Sequence, residues 1–234
     1  MIPCRCGIAV LAVLATMNAR AAEQLDQFEK TVSKQVAAHY LVVTPKEYDP
    51  AKQYPLLIFL HGRGEQGDDP ELLKIHGPFK MVEELGLDLI IVAPQSPKDE
   101  RWDIDVLDAF VDDVLEKYPV DRDRVYLTGL SMGGEGAWYL AIRRPDTFAA
   151  VAPICGVSAP SKAAALRDVP IWTFHGAKDS TIRVSETTNM VAALKALGGN
   201  VRETIYEDIG HASWKPAYAD PEFYRWLLSQ SKSR

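Results

Sequence analysis

The 234-residue sequence has little cysteine and little basic charge. No two of its three cysteines form a C-x-x-C pair, which excludes a zinc-ribbon type of site. Lysine and arginine number 26 against 32 acidic residues, and no basic cluster interrupts the net charge of −6, so nucleic acid is not an expected partner. With 47% hydrophobic and 25% charged residues, the composition is that of a globular protein and excludes a coiled coil or a collagen-like fibre.

The apolar stretch at residues 7–17 is too short for a transmembrane helix, which needs ~20 residues. Arg5 precedes this stretch and the small-x-small sequence 19–21 follows it, which is the order found in a secretory signal peptide. A buried N-terminal helix is the alternative interpretation. We predict a signal peptide at residues 1–21, a secreted or periplasmic protein, and no membrane insertion after cleavage.

Cys155 is the one cysteine outside the predicted signal peptide, so the mature chain has no partner for an intrachain disulfide. The residues before it are Pro153 and Ile154. This apolar setting predicts that Cys155 packs as a small buried group and does not act as a nucleophile.

Short apolar runs alternate with helical patterns along the chain. Unbroken apolar strands are typical of a parallel sheet covered on both faces, and the helical patterns between them predict a doubly wound α/β fold. We expect one catalytic domain over residues 22–234, with residues 35–44 pairing antiparallel at the start of the sheet. The predicted strands are 56–60, 89–92, 125–127, 149–154, 170–174 and 201–206, and the predicted helices are 103–117, 185–197 and 221–228.

A serine follows one of these strands inside the sequence Gly-Leu-Ser-Met-Gly-Gly, residues 129–134, and a helical pattern comes next. In doubly wound sheets, ligands bind beyond the carboxyl ends of the strands. A sharp strand-to-helix turn needs small neighbours, which Gly129 and Gly133 provide, and it lifts the serine hydroxyl off the sheet. Ser131 is therefore the candidate nucleophile; a glycine-rich connection without chemistry is the alternative.

A serine nucleophile needs a base, and the base needs an orienting acid. Asp179 follows the strand 170–174, and His211 follows the next strand. The order Ser131, Asp179, His211, with spacings of 48 and 32 residues, is the order of an α/β-hydrolase triad. Asp208 is the alternative acid, but Asp179 is preferred because a separate strand end can approach the far side of the imidazole.

Three other histidines have weaker interpretations. His39 lies in an early strand pattern and is expected to be structural. The sequence indicates no role for His76 or His175.

A glycine-rich loop follows the strand 56–60 and reads His-Gly-Arg-Gly-Glu-Gln-Gly, residues 61–67. Such a loop can fold over the serine and offer a backbone N–H to a developing oxyanion, beside the N–H of Met132. We assign the loop's donor to Arg63, with Gly64 as the alternative. His61 is expected to hold the loop by hydrogen bonding.

At this point the chain resembles the α/β-hydrolase superfamily, in particular small secreted esterases related to dienelactone hydrolases, phospholipase/carboxylesterases and feruloyl esterases. The matching stretches are PLLIFLHGRGEQGDD, VYLTGLSMGGEGAWYLA, FAAVAPICG, FHGAKD and IGHASWKPAYADPEFYRWLL. The resemblance implies a Ser-Asp-His hydrolase acting on esters. Dienelactone hydrolases proper use a cysteine nucleophile, so Ser131 departs from them and their substrate does not carry over.

Residues 155–169 are too few for the lid domain that many relatives insert at this position. The site is therefore expected to be open and to admit bulky esters. Trp102 and Trp214 follow or adjoin strand ends and are candidates to stack on an aryl or sugar group, with packing in the core or rim as the alternative.

The sequence therefore predicts a serine carboxylesterase that forms an acyl-enzyme and needs no metal or organic cofactor. Its partner would be a small or polymer-attached ester. A serine peptidase of the prolyl-oligopeptidase type is one alternative. A binding module on an inactive hydrolase scaffold is the other.

Overall fold

The structure is a computed structural model that describes residues 27–30 and 33–232. The predicted signal peptide at residues 1–21 lies outside the described residues. Residues 27–30 and 33–35 have no regular secondary structure. No helix in the described part of the chain is both long and apolar enough to cross a membrane.

A seven-stranded sheet forms the centre of the unit that starts at residue 36. Its strand order is β1-β3-β2-β4-β5-β6-β7, and every neighbouring pair is parallel except β1 with β3, which is antiparallel. The predicted antiparallel start of the sheet is thus confirmed, with a shorter strand. The strands are β1 Tyr40–Val43, β2 Tyr54–Leu60, β3 Ile90–Pro94, β4 Val120–Leu130, β5 Ala150–Ile154, β6 Ile171–Gly176 and β7 Val201–Tyr206.

Six α-helices of the described residues cover the two faces of this sheet. Helices α2, α3 and α4 pack on one face, while α1, α5 and α6 contribute to the core on the other face. Three short 3-10 helices lie in the connections, at Arg63–Glu65, Pro70–Lys74 and Pro160–Leu166. The helices are α1 Phe79–Glu84, α2 Ile104–Lys117, α3 Met132–Arg143, α4 Ser185–Ala196, α5 Trp214–Ala219 and α6 Pro221–Ser229.

Strand β2 shows why unbroken apolar runs mark the centre of such a sheet. Successive side chains of a strand point to opposite faces, so Leu56, Ile58 and Leu60 enter the first core while Leu57 and Phe59 enter the second. All seven residues of β2 are buried. The doubly wound, mostly parallel α/β sheet predicted from the sequence is confirmed.

Three further elements differ from the sequence prediction. Strand β4 begins at Val120 and not at the predicted 125, because its first part is charged and gives no apolar signal. The sequence pattern did not predict helices α1 and α5, which have only six residues each. None of these differences moves the carboxyl ends of β2, β4, β6 and β7, which meet at one edge of the sheet.

Candidate active site

Ser131 occupies the sharp turn between β4 and α3. Its backbone has φ 52° and ψ −114°, a strained conformation for a residue with a side chain. The turn closes because Gly129 and Gly133 have no side chains: a Cβ on Gly133 would lie 1.9 Å from the carbonyl oxygen of Leu60. A hydrogen bond of 2.9 Å from the Ser131 N–H to the Ile154 carbonyl fixes the turn to β5.

The structure brings together the three side chains that the sequence pattern singled out. Ser131 Oγ lies 2.8 Å from His211 Nε2, and His211 Nδ1 lies 2.7 Å from Asp179 Oδ2. Because the carboxylate accepts from Nδ1, that nitrogen carries the proton and Nε2 is left to accept from the serine hydroxyl. This is the connectivity that activates a serine for nucleophilic attack.

Asp179 is held by the loop that follows β6, residues 177–182, which we call the β6 loop. Its side chain is fully buried, and its Oδ1 accepts the backbone N–H groups of Thr181 and Ile182 at 2.8 and 2.9 Å. Burial opposes ionisation, but the hydrogen bonds from His211 and from these two backbone groups outweigh it and lower the pKa of Asp179. The acid is therefore ionised.

Asp208, the alternative acid, lies away from this arrangement. Its side chain is 90% exposed and forms an ion pair of 2.6 Å with Lys178. The imidazole of His211 is hydrogen-bonded to Asp179 instead. The structure therefore places Asp179, and not Asp208, beside the candidate base.

The loop after β2, residues 61–67, is held by a buried histidine; we call it the β2 loop. The Ser96 N–H donates to His61 Nε2 at 3.0 Å, so Nδ1 carries the proton and donates to the Gly62 carbonyl at 2.6 Å. Burial lowers the pKa of His61 to about 4, although the bond to Gly62 opposes this shift. His61 is thus a neutral structural residue, as its position in the sequence suggested.

The two backbone groups assigned to the oxyanion come from neighbouring segments. Met132 is the first residue of α3, where helix geometry leaves the N–H without an intrahelical acceptor. Arg63 begins the 3-10 helix of the β2 loop. The side chain of Gln66 reaches from the same loop to the Met132 sulfur at 3.7 Å, so the loop lies beside the start of α3.

The two predicted aromatic residues differ in their surroundings. Trp102 donates from Nε1 to the His61 carbonyl at 3.3 Å, and its ring packs against Gly136 of α3. Through these contacts Trp102 packs against both the β2 loop and α3. Trp214, the first residue of α5, has its ring nearly perpendicular to that of His211 with 5.4 Å between ring centroids, and it lies 5.6 Å from the ring of His76.

A cleft of about 390 Å³ has Trp214 in its lining. Its walls come from the segment around α1 and from α5. Apolar, aromatic and charged side chains share the lining, so the cleft can accommodate a ring with polar substituents. The residues that line it are Lys74, Ile75, His76, Gly77, Lys80, Met81, Glu84, Trp214, Lys215, Tyr218 and Ala219.

Cys155 lies close to the candidate triad but stays a thiol. Among the described residues, its sulfur, a carboxylate oxygen of Asp179 and a ring nitrogen of His211 lie within 4.8 Å of one another, the spacing of potential metal ligands. Burial raises the pKa of Cys155 to about 12, and a metal ligand must be a thiolate. Asp179 and His211 are in addition bonded to each other. This group is therefore poorly suited to hold a metal, and the predicted buried packing of Cys155 is confirmed by its complete burial.

Sequence reasoning missed His175. This residue lies in β6, is fully buried, and has its Nε2 3.1 Å from Asp179 Oδ2. One signal could have indicated it: a histidine inside the otherwise apolar strand 171–176 must find hydrogen-bond partners in the interior. The identity of those partners depends on residues far along the chain, which the pattern does not give.

The chain matches one protein-family model and is similar to several esterases. A family model described as "Dienelactone hydrolase family" matches residues 9–222. The bifunctional acetylxylan esterase/xylanase XynS20E of Neocallimastix patriciarum is 27% identical over 147 residues, which are 58% of this chain and 21% of that protein. The chain aligns with between 21% and 47% of the length of the curated relatives it matches.

Solved structures show the same fold. The crystal structure of a thermostable esterase is 32% identical and superposes with a TM-score of 0.76, covering 82% of this chain and 59% of that one. A ferulic acid esterase from the anaerobic fungus Anaeromyces mucronatus, 17% identical with a TM-score of 0.63, covers 87% of this chain and 93% of its own. At that identity the second likeness supports the fold alone.

Proposed function

The chain belongs to the dienelactone hydrolase family, because the model of that family matches its residues 9–222, and we propose that it is a serine carboxylesterase. The observation that carries the proposal is the continuous hydrogen-bonded chain from Ser131 through His211 to Asp179, with separations of 2.8 and 2.7 Å. The names of the related esterases support the same reaction class.

In the proposed acylation step, Ser131 Oγ attacks the ester carbonyl carbon while His211 Nε2 takes the hydroxyl proton. Asp179 stabilises the imidazolium that forms. The tetrahedral intermediate then collapses, the bond to the alcohol oxygen breaks, and His211 returns its proton to that oxygen. The alcohol leaves and the acyl group remains on the serine.

Deacylation repeats these steps with water. His211 removes a proton from a water molecule that attacks the acyl carbon, and Ser131 leaves with the proton returned to it. Through both steps, the N–H groups of Met132 and Arg63 are proposed to stabilise the oxyanion, which is a contribution of ~3 kcal/mol for one donor in enzymes of this type.

The substrate is proposed to be a small or polymer-attached ester whose ring lies in the cleft beside Trp214. The support is that the indole both contacts the His211 ring and lines the cleft. Aryl, feruloyl and acetylated-sugar esters fit such a site, since each offers a ring face for an aromatic wall. Trp102 is proposed to act on substrate only through the β2 loop that it supports.

We also propose that the enzyme works outside the cytoplasm. The support is the charged, apolar and small pattern of residues 1–21. Mass spectrometry of the protein secreted by an expressing bacterium should give a mature N-terminus at Ala22. A secreted or periplasmic form that retains residue 1 would contradict the proposal.

The direct test compares Ser131→Ala with Ser161→Ala, a serine exposed at the surface. Purified wild type and Ser161→Ala should hydrolyse p-nitrophenyl acetate at equal rates, while Ser131→Ala should lose at least ~10³-fold of kcat, because the nucleophile is gone. Retained turnover in Ser131→Ala would refute the assignment. A panel of short acyl, feruloyl and acetylated-sugar esters then ranks substrates.

The same preparation tests the two alternatives. An esterase should prefer an ester over the amide of the same acyl group, whereas a peptidase should turn over both. A binding module should turn over neither and should not react with a fluorophosphonate probe. We expect ester turnover that is lost at low pH, because a protonated imidazole cannot act as a general base.

A further inference from the structure

The carboxylate of Asp179 has a second imidazole beside it, which a Ser-His-Asp arrangement does not require. Two backbone N–H groups donate hydrogen bonds to Oδ1, and His211 donates one to Oδ2. A second imidazole, that of His175, has its Nε2 3.1 Å from the same Oδ2. Both side chains are fully buried, so this contact is made without competing solvent.

The orientation of the His175 ring is fixed by its other contacts. Its Nε2 also lies 2.9 Å from the carbonyl oxygen of Ile182, and its Nδ1 lies 2.8 Å from the hydroxyl of Thr187 on α4. A carbonyl oxygen only accepts hydrogen bonds, so Nε2 carries the proton and donates it to Ile182, with the carboxylate of Asp179 in close contact. Thr187, which is buried as well, keeps the ring from turning over.

We propose that His175 is a positioning residue that holds Asp179 in line with His211. Its Nε2–H donates to the carbonyl of Ile182, whose own N–H donates to Asp179 Oδ1, and its ring lies against the carboxylate. The inference rests on the proposed function, because only an acid that orients a base needs a fixed carboxylate plane. His175 touches no reacting atom and acts through Asp179. Thr187 acts one step further away, through His175.

Two effects follow from this arrangement. First, it limits movement of the carboxylate, and misplacement of a catalytic group by about 1 Å can cost ~10²-fold in rate. Second, the polar N–H of His175, at 3.1 Å from Asp179 Oδ2, stabilises part of the negative charge that Asp179 presents to His211. The titratable groups facing Asp179 are His175, His211 and the thiol of Cys155, and of these only His211 donates a hydrogen bond to it. Loss of the His175 N–H leaves more negative charge beside the imidazolium, so the acid limb of the kcat profile should move to higher pH.

The test uses two pairs of variants, each with a conservative member. His175→Leu removes the donor, whereas His175→Gln keeps an N–H near the Nε2 position. Thr187→Val removes the hydroxyl at almost constant shape, whereas Thr187→Ser keeps it. The assay is hydrolysis of p-nitrophenyl acetate from pH 5 to 9, with kcat and KM determined separately and folding checked by circular dichroism.

We expect kcat of His175→Leu to fall by ~10- to 100-fold with KM nearly unchanged and the acid limb displaced upward, as for the loss of a residue that orients a catalytic group. His175→Gln should restore most of the rate and the wild-type profile. Thr187→Val should show a smaller change in the same direction, and Thr187→Ser should behave as wild type. If His175→Leu fails to fold, the Thr187 pair decides.

Wild-type rate and profile in folded His175→Leu would overturn the inference, as would a loss of rate without rescue by His175→Gln and without a shifted profile. Should wild type itself turn over no ester, the proposed function fails, and the strongly deshielded proton of the Asp179–His211 hydrogen bond becomes the readout in proton NMR. A resonance displaced in His175→Leu or Thr187→Val and restored in the conservative partner supports the positioning role. An unchanged resonance contradicts it.

Discussion

The β2 loop and the β6 loop are both anchored by a buried histidine, but the two histidines have different kinds of partner. His61 of the β2 loop bonds only to backbone groups, the Ser96 N–H and the Gly62 carbonyl. His175, beside the β6 loop, contacts the carboxylate of Asp179. The first histidine therefore fixes the path of the main chain, and the second adjoins a charge.

The polar groups of the two loops differ in the same way. Both carboxylate oxygens of Asp179 accept hydrogen bonds. Glu65 in the β2 loop is also buried, but its Oε2 has no hydrogen-bond partner among the described residues. Burial, partly offset by His76, raises the pKa of Glu65. The comparison teaches that the β6 loop sets the charge of the site, while the β2 loop contributes backbone dipoles. Changes in the β6 loop should alter protonation chemistry, and changes in the β2 loop should alter rate alone.

The largest expected effect is that of Asp179→Asn in the β6 loop. The amide cannot stabilise the imidazolium and favours the wrong tautomer of His211, so kcat should fall by ~10⁴-fold. Asp208→Asn is the matched control, because Asp208 is exposed and pairs with Lys178. Steady-state kinetics of the two variants with one aryl ester would contradict the comparison if they lost equal activity.

A smaller effect is expected from His61→Leu in the β2 loop. Loss of its two hydrogen bonds should displace the Arg63 N–H and lower kcat by ~10²-fold, the cost of one oxyanion donor. The pH midpoint of kcat should stay at the wild-type value, because His61 hydrogen-bonds to backbone groups and not to the charged groups of the site. His39→Leu, the same change at an exposed histidine, is the control for the rate.

A shifted pH profile in folded His61→Leu would show that the β2 loop also governs protonation of the base. The division between the two loops would then be wrong. Circular dichroism of both histidine variants must match wild type before their rates are compared.

His61 also makes the free energy of unfolding depend on pH. Its pKa is about 4 in the folded protein against an ordinary 6.5, so the unfolded chain binds the proton more readily between these values. This contribution to stability is complete above pH 6.5 and is lost as the pH falls toward 4, by up to ~3 kcal/mol at ~1.4 kcal/mol per pKa unit. The free energy of unfolding, measured with urea at pH 7 and pH 4.5, should change less between the two pH values for His61→Leu than for wild type. An equal change in the two proteins would contradict the assignment.

The smallest effect is expected for thiol reagents. Cys155 is fully buried and burial raises its pKa to about 12, so the thiolate that reacts with iodoacetamide is scarce. Native enzyme treated at pH 8 should keep its activity and its free thiol. Alkylation of Cys155 with parallel loss of turnover would instead mean that the region around Ser131 opens to solvent.

The sequence was sufficient to predict those parts of the molecule that depend on short patterns. Strand β2 is an unbroken apolar run. The glycines on either side of Ser131 indicate a sharp turn in which neighbouring backbone segments lie close together. The positions of Asp179 and His211 at strand ends predicted where they meet, because the carboxyl ends of parallel strands share one edge. Their mutual distances required the structure.

The remaining features depend on contacts between distant segments. His175 meets Asp179 and the Ile182 carbonyl only because β6 continues into a loop that turns back on it, and its third partner, Thr187, comes from α4. Strand β4 extends into charged residues at 121–124, where apolar periodicity gives no signal. From the sequence, Trp102 and Trp214 were equally good candidates to bind substrate. The hydrogen bond from Trp102 to the His61 carbonyl, which shows that Trp102 packs against the β2 loop, is a contact between distant segments.

The most direct measurement is the site and rate of labelling by a fluorophosphonate, read by mass spectrometry of the digested protein. The account predicts one adduct on the peptide containing Ser131, its absence in Ser131→Ala, and labelling slowed by orders of magnitude in His211→Ala. A stable adduct on any other residue, or labelling that proceeds at the same rate without His211, would contradict it.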